Sequence, residues 1–539
     1  MNRRIQKALN GLADSVVEAV NPRRNVSRRM WRRSSDRQSG LIGASSNRFN
    51  DYWKPRVKDA NAATLTDLPD VIARARDASL NSPVYRAVQE TIVEHVVGSE
   101  GLRPRSLIDE KRLGITRAQA DEFQKAVDDA WRDYSRHADV TGRQEDFANL
   151  LQLVVRSAFD GGDVFATFPL RDWGRLGVFP RINLIEAERV AEPTSRISDV
   201  RCQGGVQLNE FGAPIGYWVS RGHPGSTDTI GDALRFDYQA REVDGRPAMM
   251  QVYTQHRIGA ARGLPVLASC LEDLEKLKEY VDTTLLAAEM QTRLSAFLKS
   301  MGDPDDAIET ERIDDMDGVL LEPGQLMSLP VGSEVQLQGA PHPGSYFDPF
   351  VVRLLKLISA VTKVPFAIAF GDSASENYSS MRRQHESFRK TIQRLQQMLM
   401  PLCRTYRELL IYELWLAGKI LPGRSWLDLD RDLDGWMAAI WAKPSIGTVD
   451  PTKETKSDVE AINAKITSPQ AVIRSRGQDP EQVLQEIVEW RDKVEAAGLT
   501  GSPTPEPDPD DEATDQDEDV ADLEDEELER RKQEREEAA

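Results

Sequence analysis

Two apolar helical stripes joined by a short polar segment constrain the fold of this chain more than any other feature. The second stripe recurs at steps of four and three residues and comprises Phe388, Ile392, Leu395, Leu399, Leu402, Tyr406 and Leu409. Because this spacing places the apolar side chains on one face, it predicts a long α-helix. The first stripe lies within residues 350–364 and ends at Pro365, which cannot continue a helix. We therefore expect a helix, a polar loop and a longer helix, which Pro401 should kink or divide.

A third long helix is predicted over residues 263–300. Its apolar stripe also runs in steps of three and four residues and comprises Leu267, Leu271, Leu274, Leu277, Val281, Leu285 and Ala288. At ~1.5 Å per residue, a helix of this kind is about 50 Å long. Sustained heptads are absent, so the pattern favours packing against neighbouring helices over an isolated coiled coil. An acidic run after Gly302 ends the helix, and residues 319–338 alternate like short strands.

Residues 61–262 change from helical to strand periodicity, which predicts an α+β domain. Two helices are expected between residues 65 and 98, with Ser82 and Pro83 starting the second and Gly98 ending it. Another helix is expected near residues 117–136. Strands are predicted within 161–170, 181–190, 206–220 and 249–258, the third being a hairpin that turns at residues 209–212.

Charge is distributed unevenly along the chain, whose formal net charge is −19. Residues 1–60 carry 14 Lys and Arg against 5 Asp and Glu, and residues 506–539 carry 4 against 18. We interpret residues 1–60 as a basic, mostly disordered arm that touches nucleic acid or an acidic surface, or simply as a surface terminus. Residues 501–539 are interpreted as a disordered acidic tail, because so charged a segment cannot bury a core. An acidic body lets DNA slide better than it grips DNA, although solubility explains the same charge.

Motifs for catalysis or cofactor binding are absent from the sequence. There is no GxxxxGK[ST] phosphate loop, no HExxH and no paired CxxC, and the six histidines are scattered without metal-ligand spacing. Cys202, Cys270 and Cys403 predict buried free thiols in a reducing compartment. We therefore expect no enzyme activity, no cofactor and no metal site. Asp and Glu are so numerous that the carboxylate metal site of a nuclease stays an open alternative.

Membrane and export signals are also absent. The N-terminal residues 1–20 contain no unbroken apolar segment, and Arg353, Lys356 and Lys363 interrupt the most apolar later stretch, residues 350–370. We expect a protein that is made in the cytoplasm and is not inserted in a membrane.

Several stretches occur in an order that resembles one protein family. A turn with the sequence KVPFAIAFGD is followed by NYSSMR and then by an Arg-rich helix. Before them come GGDVFATF, GVQLNEFGAPIGYWV and RGLPVLASCLEDLEKLKEYVDTTLLAA, and after them DPTKETKSDVEAINAKITSPQAVIRSRGQDPEQV. No single stretch is decisive. The ordered set, which covers roughly residues 65–495, resembles the portal proteins of tailed bacteriophages, specifically the lambda-like portal family.

This resemblance implies a helix-rich α+β portal fold assembled as a ring. Its parts are a mixed α/β wing domain, a stem helix, a small clip-like β module, a returning stem helix, a channel loop, and a long helix with crown-side helices. In this chain they correspond to residues 61–262, 263–300, 301–345, 346–365, 366–380 and 381–500. The resemblance also implies a homododecamer, although the sequence itself does not fix the number of subunits.

The channel, or tunnel, loop is the candidate site. Its residues are Asp372, Ser373, Ser375, Glu376, Asn377, Tyr378, Ser379 and Ser380. Hydroxyl and amide groups can make transient bonds to phosphate, whereas the two carboxylates repel a duplex that carries one charge per ~1.7 Å. This composition suits a sliding contact with double-stranded DNA. The alternative is an ordinary surface turn that caps the following helix.

As a portal, the chain would be a structural protein of the virion without catalytic residues. The resemblance implies a channel at the unique capsid vertex, used for genome packaging, head-tail connection and genome ejection. Its partners would be the terminase packaging motor, the major capsid protein, and head-completion or tail adaptor proteins. The competing functions are a metal-dependent DNA-processing nuclease with a basic DNA-binding arm and, less suited to long helices, a capsid shell protein.

Overall fold

The described part of the chain covers most residues from Arg56 to Ala497. In the computed structural model it comprises residues 56–144, 146–196, 199–227, 230–293, 297–300, 333–336, 347–372, 377–420, 426–444, 451–476, 478 and 480–497. The chain divides into two units, Met1–Ala63 and Thr64–Ala539. Helix α1, Ala60–Thr64, begins in the first unit, and all later elements lie in the second. The predicted basic arm before residue 56 and the predicted acidic tail after residue 500 lie outside the described residues.

The second unit begins with helices, of which α3, α4 and α5 start at a capping side chain. The elements are α2 (Leu68–Asn81), α3 (Pro83–Val97), β1 (Arg103–Ser106), α4 (Glu110–Leu113), α5 (Arg117–Ser135) and α6 (Phe147–Gly161). Ser82 Oγ accepts from Tyr85 N at 3.3 Å, and Gly98 ends α3 with a φ of 63°. Thr116 and Gln119 form a reciprocal capping box at the start of α5. The predicted boundary between α2 and α3 is confirmed.

Short antiparallel strands follow α6. They are β2 (Asp163–Thr167), β3 (Leu170–Asp172), β4 (Val178–Pro180), β5 (Asn183–Glu186), β6 (Cys202–Gln203), β7 (Val206–Leu208) and β8 (Pro214–Ser220), then α7 (Ile230–Ala233), β9 (Phe236–Ala240), β10 (Glu242–Val243), β11 (Arg246–Pro247) and β12 (Met249–Tyr253). One sheet has the order β12-β2-β5, and another has the order β6-β7-β8-β9. The predicted hairpin is confirmed, because β7 pairs with β8 and Gly212 N donates to Asn209 O at 3.1 Å.

A buried ion pair joins the three-stranded sheet to the segment that leaves it. Arg262 Nε and Nη2 donate to the two carboxylate oxygens of Asp163 at 2.6 and 2.9 Å. The same guanidinium donates to the carbonyl oxygens of Ala187, Val190 and Gly204. Because a buried charge is tolerated only when it is paired and hydrogen-bonded, this network fixes where the chain exits the sheet.

Helix α8 runs Leu271–Arg293 and is shorter than the predicted helix over residues 263–300. At its N-terminal side, Val266 N donates to Phe159 O at 3.0 Å, which holds that segment in turns against α6. Gly162 permits this approach, because it has a φ of 82° and a Cβ there would lie 2.5 Å from Gly263 C.

At the other end of the predicted helix, residues 297–300 are extended. Strand β13 (Phe297–Ser300) pairs antiparallel with β14 (Ser333–Gln336). The prediction of a helix over 263–300 was therefore wrong at both ends, because long-range backbone pairing takes precedence over local periodicity. The rest of the predicted clip-like module, residues 301–332 and 337–345, lies outside the described residues.

The C-terminal part of the second unit is mainly helical. It contains α9 (Phe347–Thr362), α10 (Phe366–Phe370), α11 (Tyr378–Leu416), α12 (Trp426–Arg431), α13 (Leu433–Trp436), β15 (Ala439–Ala442), α14 (Pro451–Asn463), α15 (Pro469–Ser475) and α16 (Pro480–Ala496). Helix α11 continues for 39 residues through Pro401, so Pro401 does not divide it, and the kink stays a prediction. Pro401 is exposed, and water can therefore satisfy the carbonyl that loses its helical partner.

The main core forms around α11. Its predicted apolar face is confirmed by the burial of Phe388, Ile392, Leu399, Leu402 and Tyr406, and by the partial burial of Leu395 and Leu409 against them. Strand β1 pairs antiparallel with β15, which brings the beginning and the end of the body to one core. The fold is thus helix-rich α+β, as predicted. The division into wing, stem, clip and crown stays a prediction.

Within the described ranges, no helix combines the length and the apolar character needed to cross a bilayer.

Candidate functional site

A short helix, not a loop, leads into the candidate site. Pro365 precedes α10, and Gly371 ends it with a φ of 69° in the left-handed region that favours glycine. Residues 366–370 are helical because Pro365 can open a helix and Gly371 can close it. The predicted channel loop over 366–380 is corrected accordingly: the segment between α10 and α11 is residues 371–377.

Asn377 caps the N-terminus of α11. Its Oδ1 accepts from Ser380 N at 2.9 Å and from Ser379 Oγ at 3.0 Å. Ser380 Oγ in turn donates to Asn377 O at 2.9 Å. The first of these bonds satisfies the Ser380 N–H, which the first helical turn leaves without a backbone partner. The capping role that we kept as an alternative is therefore observed, whereas contact with DNA stays a prediction.

The other predicted site residues are described unequally. Asp372 is exposed and follows Gly371, the residue that ends α10, and Tyr378 is the first residue of α11. Ser373, Ser375 and Glu376 lie outside the described residues. The structure thus brings Asn377, Ser379 and Ser380 together in one cap and leaves Asp372 at the opposite end of the segment.

A basic strip follows this cap on α11. It consists of the exposed side chains of Arg382, Arg383, Arg389, Lys390 and Arg394. Between residues 378 and 394 the sequence offers only one carboxylate, Glu386.

Such a strip can bind phosphate or a carboxylate-rich surface. The sequence identified an Arg-rich helix here, but these cations were not included in the predicted site. Their position directly after the polar segment was the signal that could have found them.

The cysteines are not candidate nucleophiles. Cys202, Cys270 and Cys403 are buried free thiols, as predicted. Burial raises the pKa of Cys202 and of Cys270 to about 11 and raises the pKa of Cys403 further. Since the thiolate is the reactive form, these side chains are inert at neutral pH. Among the residues that the structure describes, no group of three or more His, Cys, Asp or Glu could hold a metal ion.

Comparison with known proteins identifies the family. Residues 46–396 match the family described as phage portal protein, lambda family, a range that includes α8, α9 and the candidate site. The chain is 25% identical over 464 residues to the probable portal protein of Halomonas phage phiHAP-1, covering 83% of this chain and 85% of that protein. It is 26% identical over 492 residues to the portal protein of Escherichia phage N15, covering 83% and 88%. It is 24% identical over 489 residues to portal protein B of Escherichia phage lambda, again covering 83% and 88%.

A solved structure is also similar. The chain resembles a protein in the neck of a native gene transfer agent particle, computed with C12 symmetry, at 13% identity and a TM-score of 0.45 over 77% of this chain and 94% of that one. A TM-score this low does not by itself establish a common fold. The family match and the phage relatives support a portal function and give the nuclease alternative no support. Because the match spans more than half of the sequence, the chain belongs to the lambda family of phage portal proteins and serves as a portal at the capsid vertex.

Proposed function

We propose that twelve copies of this portal protein form a ring around a channel for double-stranded DNA. The observation that carries the proposal is the family match over residues 46–396. A physical reason for assembly is the apolar surface left on α8 and α9, where Leu285, Leu286, Phe350 and Leu357 are 48–60% exposed. Packing against neighbouring subunits removes such surface from water, which stabilises the assembly.

The ring acts by its geometry and not by chemistry. DNA is packaged and later ejected through the same channel, while the ATPase that drives packaging belongs to the terminase motor. The major capsid protein surrounds the ring, and head-completion or tail adaptor proteins dock on its outer end. Assembly takes place in the cytoplasm of the host bacterium, and the ring then becomes part of the virion.

The ring is tested with purified protein at micromolar concentration. Negative-stain microscopy should show rings, and native mass spectrometry should give the mass of twelve subunits. ATP hydrolysis should be absent, because the sequence contains no phosphate-binding loop. A preparation that contains only monomers would overturn the proposal, and Mg²⁺-dependent nuclease activity in those monomers would favour the nuclease alternative.

We propose further that residues 372–380 point into the channel and meet the passing DNA. Support comes from their polar composition, from the exposure of Asp372, Asn377 and Ser379, and from the basic strip that follows them. Carboxylates repel phosphates while hydroxyl and amide groups bond to them briefly, so the segment keeps DNA moving.

The loop is tested by replacing both Asp372 and Glu376 with Lys. Rings and heads should form normally, but packaging should slow at low salt and recover at high salt, because screening weakens the new phosphate contacts. The control is Asp121→Lys with Glu122→Lys, which adds the same charge at exposed positions of α5. Packaging rates equal to the wild type at both salt concentrations, with intact rings, would show that this segment does not face the DNA.

A further inference from the structure

The basic strip of α11 lies on the side of the helix that faces away from the core. Successive residues of an α-helix are rotated by about 100°, so the five side chains of the strip fall within an arc of about 140°. This arc is opposite the buried Phe388, Ile392 and Leu399. The exposed Glu386 is the one carboxylate among residues 378–394. The outer side of this part of α11 is therefore strongly positive.

Four cations of the strip have no ionic partner within the part of the chain that the structure describes. Arg382, Arg383, Lys390 and Arg394 make no ion pair with a described carboxylate. Elsewhere, by contrast, an exposed arginine of α4 donates to Asp432 at 2.6 Å. Lys390 and Arg394 are four residues apart, a spacing at which like charges repel each other. An acidic partner on this surface would relieve that repulsion.

The predicted acidic tail of the chain has the matching charge. Residues 506–529 contain 15 Asp and Glu and no Lys or Arg. Carboxylates form strong charge-assisted hydrogen bonds with guanidinium and ammonium groups. A charged segment with few apolar residues can follow an extended surface of opposite charge without needing a core of its own.

The acidic tail is long enough to reach the strip. Pro444 lies beside α3, because a Cβ on Gly98 would be 3.3 Å from Pro444 Cβ. Gln396 of α11 donates to Val96 O of α3 at 3.2 Å, so residue 444 is close to the end of the strip. Given the lengths of α14, α15 and α16, Ala497 is at most about 110 Å from Pro444. Residues 498–539 can extend to about 140 Å, which is sufficient for any arrangement of these helices.

We propose that the acidic tail docks on the basic strip of α11 and that DNA displaces it. An extended chain over residues 506–529 presents one carboxylate per ~5 Å, whereas duplex DNA presents one charge per ~1.7 Å. DNA therefore has the higher charge density and replaces the tail when it arrives. Before that, the tail covers the strip against other nucleic acid. Because exposed ion pairs contribute little to folding, docking leaves subunit stability nearly unchanged.

The basic arm is the competing partner for the tail. Residues 1–60 carry 14 Lys and Arg against 5 Asp and Glu. The strip is favoured because its cations are already fixed along one helix. Pairing the tail with an arm that is itself predicted to be disordered would require both segments to lose conformational entropy.

Carbodiimide coupling tests the docking, because it joins a carboxylate to a lysine amine in contact with it. Lys390 is the one lysine of the strip, so mass spectrometry of the full chain should find tail carboxylates coupled to Lys390 at low salt. The yield should fall at high salt, where the contacts are screened. The exposed Lys125 of α5 is the control and should couple to the tail at least about fivefold less.

Neutralising the neighbours of Lys390 should reduce this coupling while keeping the reactive amine. Arg383→Gln with Arg394→Gln should lower the yield at Lys390 at least about fivefold. The matched control is Arg74→Gln with Arg86→Gln, which removes the same charge at exposed positions of α2 and α3 and should leave the yield unchanged. Circular dichroism should show that both variants are folded.

Competition with DNA is measured by fluorescence anisotropy with a 20-base-pair duplex at low salt. Deleting residues 506–539 should tighten binding about tenfold, because the strip is then uncovered. Most of this gain should be absent when the truncated chain also carries Arg383→Gln with Arg394→Gln. A synthetic peptide of residues 506–529 should weaken DNA binding by the truncated chain.

Two results would overturn the docking. One is equal coupling of the tail to Lys390 and Lys125, and the other is coupling mainly to the arm lysines at positions 7, 54 and 58. Unchanged DNA affinity after truncation would overturn the displacement by DNA. The coupling experiment does not depend on rings, so a preparation of monomers would refute the proposed function and leave this test valid.

Discussion

The apolar stripe of α11 is buried, whereas the α8–α9 pair, besides the buried Leu274 and Ile358, carries leucines that stay exposed. On α11, Phe388, Leu402 and Tyr406 are 0% exposed. On the helix pair, Leu286 and Leu357 keep 56% and 50% of their surface. Helical periodicity shows that a face needs a partner, but it does not show whether that partner belongs to the same chain. In this protein, residual exposure is the observation that leads us to propose an assembly face on the helix pair.

Charged residues differ between the two regions in the same way. In the core, Arg407 donates to Met437 O at 2.8 Å and to Ser106 Oγ at 2.7 Å, and burial lowers its pKa to about 10. Such a cation is committed to contacts within one chain, because it would be costly to bury without them. On the helix pair, Glu275 and Arg353 are exposed and can accept a partner at little cost in desolvation.

The largest effect is expected when one leucine is truncated to alanine in each region and the two variants are compared. Leu402→Ala should lower the free energy of unfolding by about 2–5 kcal/mol, because the side chain is fully enclosed and leaves a cavity. Chemical denaturation at fixed protein concentration measures this change. Leu357→Ala, at a half-exposed position, should change the unfolding of the dissociated subunit by about 0.5 kcal/mol or less.

For ring assembly, the order of the two variants should be reversed. Leu357→Ala should reduce the fraction of rings in native mass spectrometry, whereas the Leu402→Ala protein that remains folded should still assemble. If both variants lose subunit stability equally and assemble equally well, the contrast between the two regions is wrong.

A smaller effect is expected at a buried carboxylate outside α11. Asp139 accepts hydrogen bonds from Thr141 Oγ1 at 2.5 Å and from the N–H groups of Thr141, Arg143 and Gln144 at 3.0 Å. Burial alone would raise the pKa of Asp139, but these bonds together hold it below its usual value. Asp139→Asn should therefore cost about 1–3 kcal/mol at neutral pH, since the amide nitrogen cannot accept.

The pH dependence of that cost follows from the lowered pKa. The stabilisation is fully present above the unfolded pKa of ~3.9 and is lost as the pH falls through the folded pKa. Melting temperatures from pH 7 down to pH 3 should show the wild-type and variant curves converging at the acidic end. An exposed control, Asp121→Asn, should give no such trend. A constant difference at every pH would mean that the carboxylate charge is irrelevant.

The smallest effect is expected at the C-terminus. Deleting residues 506–539 should leave both the unfolding free energy and ring formation unchanged, because this segment carries 18 Asp and Glu and has little apolar surface to bury. Size-exclusion chromatography and negative-stain images of the truncated protein provide the measurement. Loss of rings would show that assembly depends on more than the helix faces.

Local signals predicted part of this fold well. Ser82, Pro83 and Gly98 marked the limits of α3 because capping depends on a few neighbouring residues. The apolar face of α11 was also correct, since a long stripe specifies its own burial. The start of α8 was missed because a distant backbone contact, Val266 N to Phe159 O, decides it. The pairing of β1 with β15 was missed for the same reason.

In the candidate site, too, the features decided by neighbouring residues were predicted and the others were not. Asn377 was predicted to start α11 or to lie in the loop, and the cap it forms with Ser379 and Ser380 is local chemistry. The exposed strip that begins at Arg382 was not singled out, because periodicity identifies only which residues leave the apolar face. What such residues meet is decided by other molecules, which one sequence does not describe.

Because β1 and β15 are far apart in the sequence, they can pair only late in the synthesis of the chain. The two strands are separated by about 330 residues, which a ribosome adds in roughly 20–60 s at ~5–20 residues per second. Until then Phe123 lacks Trp415 and Trp436, which contact its ring in the finished protein. The nascent chain therefore leaves the ring of Phe123 without these partners for most of its translation, and chaperones have that interval in which to bind it.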